Sequence, residues 1–291
     1  MEARPTALLL RTVLLIGLLF LALSAFGGTT DPNTPDSKYL EFGKQFPSVV
    51  RVRTLILSGT GEKPAVTLQY GSGVIIGPHW LLTAGHVVKG QAAAFALKDD
   101  DSEHVLEKVI LHKDYNEDQF GFHDLALCYS SKDFGLEFYT PLYKQLDEVG
   151  KPITIAGYGI HGTFNTGAKL SDGKKRAGHN RIDSSERSVL ICTPSVANRF
   201  PLEFMIAQGD SGGGMFIGNE LAGINSFLMA KDRKPDGTYG DESAFTRVSI
   251  YAEWIEEQML LHELAIAGRL VTAPDVSKIP APSDKPANDK K

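Results

Sequence analysis

Residues 204–218 read F-M-I-A-Q-G-D-S-G-G-G-M-F-I-G, and Gly209, Gly212, Gly213, Gly214 and Gly218 crowd around a single Asp210-Ser211 pair. Glycine loses more conformational freedom on folding than any other residue, so such a cluster is either a loose turn or a place where the backbone must do what only glycine allows. The cluster falls between short apolar runs of strand length, not helix length. It is therefore a loop held between strands, and the rest of the chain decides its purpose.

Outward from it the same texture continues. S-V-V-R-V-R-T-L-I-L (48–57), G-S-G-V-I-I-G (71–77), H-W-L-L-T-A-G (79–85), K-V-I-L-H (108–112), D-L-A-L-C-Y (124–129), K-P-I-T-I-A-G-Y-G (151–159), S-V-L-I-C (188–192), G-G-M-F-I-G (213–218) and L-A-G-I-N-S-F (221–227) are short runs broken by turns. Many short strands without intervening long helices predict an all-β barrel or sandwich. One helix is expected over 249–262, with Ser249 as N-cap and Ile250, Trp254, Ile255 and Leu261 near one face. Residues 161–188, rich in Gly, Lys and Ser around Lys174-Lys175-Arg176, predict a mobile surface loop. Residues 273–291, with four prolines among Asp and Lys, predict a disordered tail.

At the other end, Arg4 and Arg11 precede an apolar run from Val13 to Leu23, followed by Ala25-Phe26-Gly27 or Ala22-Leu23-Ser24 as a small-x-small cleavage site. This is the pattern of a secretory signal peptide over 1–27, too short to span a bilayer comfortably. An uncleaved anchor is the alternative reading; cleavage leaves no stable membrane association and a secreted or periplasmic protein. Export permits disulfides, but Cys128 and Cys192 allow one bridge at most. A net charge of -5, with no basic patch, excludes a general nucleic-acid binder.

Three stretches carry chemistry together. L-L-T-A-G-H (81–86) puts His86 just past an apolar run, F-H-D-L-A-L (122–127) puts Asp124 at the start of another, and Q-G-D-S-G-G (208–213) puts Ser211 among the glycines. A serine hydroxyl is a weak nucleophile that needs a base for its proton and a third group to orient that base. Histidine titrates near neutral pH, and a buried carboxylate fixes its tautomer and stabilises the imidazolium.

On these motifs the chain resembles the trypsin/chymotrypsin family of serine endopeptidases over residues 39–262. The order His, Asp, Ser is that family's order. T-A-G-H resembles its T-A-A-H, H-D-L-A-L its D-I-A-L, and G-D-S-G-G is identical to its nucleophile motif. K-Q-F-P-S-V-V (44–50), V-I-L-H-K-D-Y-N (109–116), I-T-I-A-G-Y-G (153–159) and A-F-T-R-V with Y-A-E-W-I (244–255) echo further family segments in the right order. The resemblance implies two six-stranded antiparallel β-barrels with the site between them and a C-terminal helix. It implies His86 as base, Asp124 as orienter, Ser211 as nucleophile, and the N–H groups of Gly209 and Ser211 as an oxyanion hole. Ser226 matches the position whose backbone pairs with substrate. The substrate is a protein or peptide, and the mechanism needs no cofactor and no metal. Residues 28–38 are then an extension or propeptide, and 263–291 a C-terminal extension.

Rival readings accompany these assignments. Asp114 and Asp118 are alternative carboxylates in a polar stretch where solvation is the expected role. His112 and His123 are expected to be structural or surface residues, and the acidic run Asp99, Asp100, Asp101, Glu103 and Glu107 a solvated face rather than a calcium site. A catalytically silent, peptide-binding homologue is the alternative function, although such a protein usually loses one of the three residues. A serine esterase with G-x-S-x-G is disfavoured by the chain order. The family's freed N-terminal I-V-G-G, whose amine pairs with the Asp before the nucleophile (here Asp210), is missing, as are the disulfides of its animal members; the latter points to a low-cysteine, bacterial branch. Met205 and Leu228 stand at pocket positions and predict apolar primary specificity.

Overall fold

The structure is a computed structural model that describes residues 28–58, 65–116, 122–197 and 199–268. The expected signal segment, the tail from 273 and Asp118 lie outside the described residues. In chain order the elements are β1 (Thr29–Thr30), α1 (Asp36–Gly43), β2 (Val49–Ser58), β3 (Ala65–Gly77), β4 (Trp80–Thr83), α2 (Gly85–Val88), β5 (Ala93–Leu97), β6 (Glu103–Val105), β7 (Lys108–Leu111), β8 (Ala126–Tyr129), β9 (Pro152–Gly157), β10 (His161–Thr163), β11 (Gly167–Leu170), β12 (Arg176–Arg181), β13 (Ser184–Glu186), β14 (Val189–Cys192), β15 (Phe204–Met205), β16 (Gly214–Ile217), β17 (Glu220–Ala230), β18 (Asp241–Arg247) and α3 (Ala252–Ile266).

The strands form two curled half-barrel sheets, one from each half of the chain. The first runs β6-β5-β2-β3-β4-β8-β7 and the second β12-β9-β16-β17-β18-β14-β13, both antiparallel throughout. Each ladder has seven strands where six were expected. Pleating sends successive side chains to opposite faces, so Val50, Val52 and Thr54 of β2 are buried while Arg51 and Arg53 are not. In the second sheet Ile153, Ile155, Leu190, Cys192, Met215 and Phe245 meet in one apolar cluster. Register shifts at Ile75/Gly77, Met215/Phe216 and Asn225/Phe227 mark bulges, which bend strands and help a sheet to curl.

A small third sheet, β11-β10-β1-β15, takes in the N-terminal segment: β1 pairs parallel with β10 and antiparallel with β15. The helix α1 is fastened to the second sheet by Arg176, a fully buried side chain that pairs with Asp36 at 2.6 and 2.7 Å and with Asp172 at 2.9 and 3.0 Å.

Two expectations are corrected and one open question is answered. Residues 161–188 are not a loop but hold β10 to β13. Within them Lys175 is buried on the carbonyls of Phe46 and Val49 and the Asp99 carboxylate, and Arg176 is buried as above, because the aspartates and carbonyls around them supply the partners a buried cation needs. Ser249 does not cap a helix. It lies in a 3-10 turn and donates to Glu148 at 2.6 Å, and α3 begins at Ala252. Cys128 and Cys192, whose pairing the sequence left open, are both free and buried, one in each large sheet.

The chain divides into two compact units, the first through Ala252 and the second from Glu253, of which the described part is the body of α3.

Candidate active site

Of the three residues singled out by sequence, His86 and Asp124 pair directly, and Ser211, from the other sheet, is linked to Asp124 through Ser226. β4 ends at Thr83 and the one-turn helix α2 follows, so His86 leaves the first sheet at its rim. Asp124 sits two residues before β8, the neighbour of β4 in the same ladder. The Asp124 carboxylate is committed to His86 through both oxygens. Oδ1 accepts the His86 backbone N–H at 2.9 Å, and Oδ2 pairs with Nδ1 at 2.8 Å. Oδ2 also accepts the Ser226 hydroxyl at 2.5 Å, and the Asp124 carbonyl accepts Thr246 Oγ1 at 2.9 Å. Burial alone would raise the Asp124 carboxyl; the hydrogen bonds and charge of His86 and the Ser226 hydroxyl outweigh it and hold it below the usual range. The site thus contains an anionic carboxylate that fixes the His86 imidazole through Nδ1.

Ser211 comes from the second sheet, in the connection between β15 and β16. Its hydroxyl points to the Ser226 carbonyl at 3.4 Å. Gly209 and Gly212 have φ of +92° and +86°, the left-handed region that L side chains avoid. At Gly212 a β-carbon would also lie 2.1 Å from both the Ser72 carbonyl oxygen and Thr83 Oγ1. The glycine cluster is therefore a fixed turn pressed against the first sheet.

Sequence reasoning missed the residue that pins it. Ser72 donates its N–H to the Ser211 carbonyl at 2.8 Å and its hydroxyl to the Gly209 carbonyl at 3.0 Å, and accepts the Tyr158 N–H at 3.0 Å. The signal was present in G-S-G (71–73), a polar residue between glycines in the middle of an apolar strand. Asn225 was also passed over as a functional residue. Its carbonyl accepts the Gly212 N–H at 2.8 Å, and its amide donates to the carbonyls of Asp210 and Ala156.

Asp210 is fully buried beneath the turn. It accepts the N–H groups of Gly159 and Ala207, each at 2.8 Å, and that of Gly28. Burial pushes its carboxyl up to about 7, against the Ala207 and Gly28 N–H groups and the positive field of Arg176. The segment 28–30, expected as an extension, lies here as β1 and the residue before it.

The predicted pocket residues are placed as follows. Met205 is fully buried in β15 opposite Thr29. Leu228 is half-buried against the second sheet's apolar cluster and in register with Ser243, whose hydroxyl accepts the Ile206 N–H at 3.3 Å. Ser226 is the bulged residue of β17. Asp114, the rival to Asp124, is exposed and pairs with Lys113 and His112 instead. Within the acidic run, Asp99 binds Lys175, Asp100 caps Ser102, Glu103 pairs with Arg53 and Glu107 with Ser131.

Comparison with known proteins gives the following. The sequence model of the family described as Trypsin matches residues 59–255. An uncharacterised peptidase of Corynebacterium glutamicum (strain R) is 26% identical over 247 residues, covering 81% of this chain and 83% of that protein. Among solved structures, neuropsin, a serine protease expressed in the limbic system of mouse brain, superposes with a TM-score of 0.56 at 20% identity, over 75% of this chain and 96% of that one. HL collagenase superposes at 0.57 with 18% identity, over 75% and 95%.

Proposed function

Since the chain belongs to the trypsin family, we propose that it is an exported serine endopeptidase that cleaves peptide bonds through an acyl-enzyme. Ser211 attacks the scissile carbonyl as His86 takes its proton, and the tetrahedral oxyanion is held by the N–H groups of Gly209 and Ser211, each contributing about 2.7–4 kcal/mol. His86 then protonates the leaving amine, which departs. Water, activated by the same imidazole, hydrolyses the ester and returns the proton to Ser211. Asp124 keeps the imidazole oriented and stabilises its cation.

The observation that carries this reading is the commitment of both Asp124 oxygens to His86, beside a nucleophile loop clamped by Ser72. A binding module has no need of an imidazole so oriented. The purified chain should be labelled stoichiometrically by an organophosphate, seen as a mass increase on the Ser211 peptide. Ser211→Ala should lose both the label and hydrolysis, by on the order of 10⁶ in kcat. Persistent labelling of that variant overturns the nucleophile assignment; a wild-type chain that neither takes the label nor hydrolyses peptides overturns the activity.

The primary pocket, with Met205 and Leu228 contributing no charge, favours small and medium aliphatic side chains. Peptide substrates with Ala, Val or Leu before the scissile bond should be cleaved faster than those with Lys or Arg. The reverse ranking in kcat/KM rules out an apolar pocket. Signal removal after Ala25-Phe26-Gly27 leaves Gly28 as the first residue of the exported chain.

A further inference from the structure

One residue upstream of Asp124, His123 is held with φ of +56°, a conformation a non-glycine residue keeps only when its surroundings impose it. Its ring lies parallel to that of His112, with centroids 5.1 Å apart and planes 8° from parallel. Tyr251 packs edge-on against both rings, and its hydroxyl pairs with His123 Nδ1 at 2.8 Å. His112 is buried and its Nδ1 accepts the Asp114 N–H at 3.3 Å, with an Asp114 carboxylate oxygen 3.9 Å away. One ligand atom from each of His112, Asp114 and His123 can be chosen so that all lie within 4.8 Å of one another.

The proteolytic mechanism uses none of these side chains, yet their chemistry is coherent. Two imidazoles and one carboxylate are the donors that zinc and its first-row neighbours take. A tyrosine hydroxyl on one ring nitrogen leaves the other to face an ion and fixes its direction. Asp114 is exposed, so an ion can enter from its side. Its partner Lys113 is also exposed and is displaced at little cost.

We propose that His112, Asp114 and His123 form a site for a single divalent first-row ion of the zinc type, and that its occupancy slows turnover through Asp124. The second half rests on the endopeptidase reading. Ligand atoms around zinc at 2.0–2.1 Å stand roughly 3.3 Å apart, so binding must draw the three groups together. His123 is joined to Asp124 by one peptide, and the same turn is tied down by the Leu125 N–H on the His123 carbonyl and by the His112 N–H on the Leu125 carbonyl. A shift of His123 is thereby delivered to the carboxylate that orients His86.

The test is a titration of chelator-stripped, processed chain with Zn2+ against a chromophoric chelator, with Co2+ absorption as the report on coordination. One ion per chain is expected, weakened at least about tenfold in His112→Gln and in Asp114→Asn and unchanged in His86→Ala. Asp114→Asn alters only an exposed carboxylate and so keeps the test clear of folding. Wild-type kcat should fall as the site fills while KM holds. Asp114→Asn should lose that sensitivity with its zinc-free rate within about threefold of wild type. Affinity unchanged in Asp114→Asn and His112→Gln, or lost in His86→Ala, overturns the site; a filled site with unchanged kcat overturns the coupling. The titration reads no activity, so a chain that binds zinc at these residues but hydrolyses nothing refutes the endopeptidase reading and leaves the site standing.

Discussion

Gly212 shows how a single backbone position can hold a site together. Its φ of +86° is strained for any L side chain, and a β-carbon would lie 2.1 Å from Ser72 O and Thr83 Oγ1, both on neighbouring strands that cannot retreat without breaking their ladder. Gly212→Ala should therefore destabilise the fold by about 3 kcal/mol and cut peptide hydrolysis more than stability alone explains, because Ser211 is the adjoining residue. Urea unfolding with parallel kcat/KM measurement checks this; an alanine variant within 0.5 kcal/mol of wild type (roughly the range of a neutral surface change) contradicts it. The crowding of glycines around Asp210-Ser211 was legible in the sequence, since nothing else explains five glycines beside one serine. What they were pressed against was not. Ser72 is 139 positions away and reaches the loop only because the two sheets face each other, and no local pattern encodes that approach.

At the scale of elements, β17 makes the point that an irregularity can be functional. A regular strand sends residues alternately up and down. The shift between Asn225 and Phe227 breaks that alternation, so the Ser226 hydroxyl reaches Asp124 while its carbonyl faces Ser211. Ser226→Ala removes a hydroxyl from a buried carboxylate, which should cost about 1–3 kcal/mol in stability and raise the Asp124 carboxyl from its depressed position. The pH below which hydrolysis is lost should then move upward relative to wild type. An acid limb superimposable on that of wild type denies Ser226 this role. The strand runs themselves were readable from short β-branched and apolar stretches between turns. The region 161–188 was misread because its strands are rich in Gly, Lys and Ser. Their partners are a carboxylate pair around the buried Arg176 and a small side sheet rather than an apolar face, and composition cannot announce either.

At the scale of the whole molecule, the segment from Gly28 through α1 is linked to the nucleophile loop. β1 is threaded between β10 and β15, α1 is fastened by Arg176, and the Gly28 N–H is delivered to the buried Asp210 carboxylate. The family's usual I-V-G-G is missing from the sequence, so the partner of Asp210 could not be read from any motif; it emerges only from where Gly28 lies in space. While Gly28 remains peptide-linked, burial holds Asp210 up to about 7, against about 3.9 in an unfolded chain. Between those values the folded state binds a proton that the unfolded state does not. The associated stability is fully present below about pH 4 and lost as pH rises through 7, with an upper bound of about 4 kcal/mol. Cleavage after Gly27 converts the same N–H into an α-ammonium, whose own pKa is near 8. Its charge favours the carboxylate, so the processed chain escapes this loss across pH 4–7. Thermal unfolding of a chain beginning at Gly28 and one beginning at Ala25 should therefore agree near pH 4.5 and separate by several degrees at pH 7, the Gly28 form being the more stable. Asp210→Asn should erase the difference. Parallel pH profiles for the two starts would mean that the ammonium does not reach Asp210, and that the buried carboxyl is kept neutral by its protein donors alone.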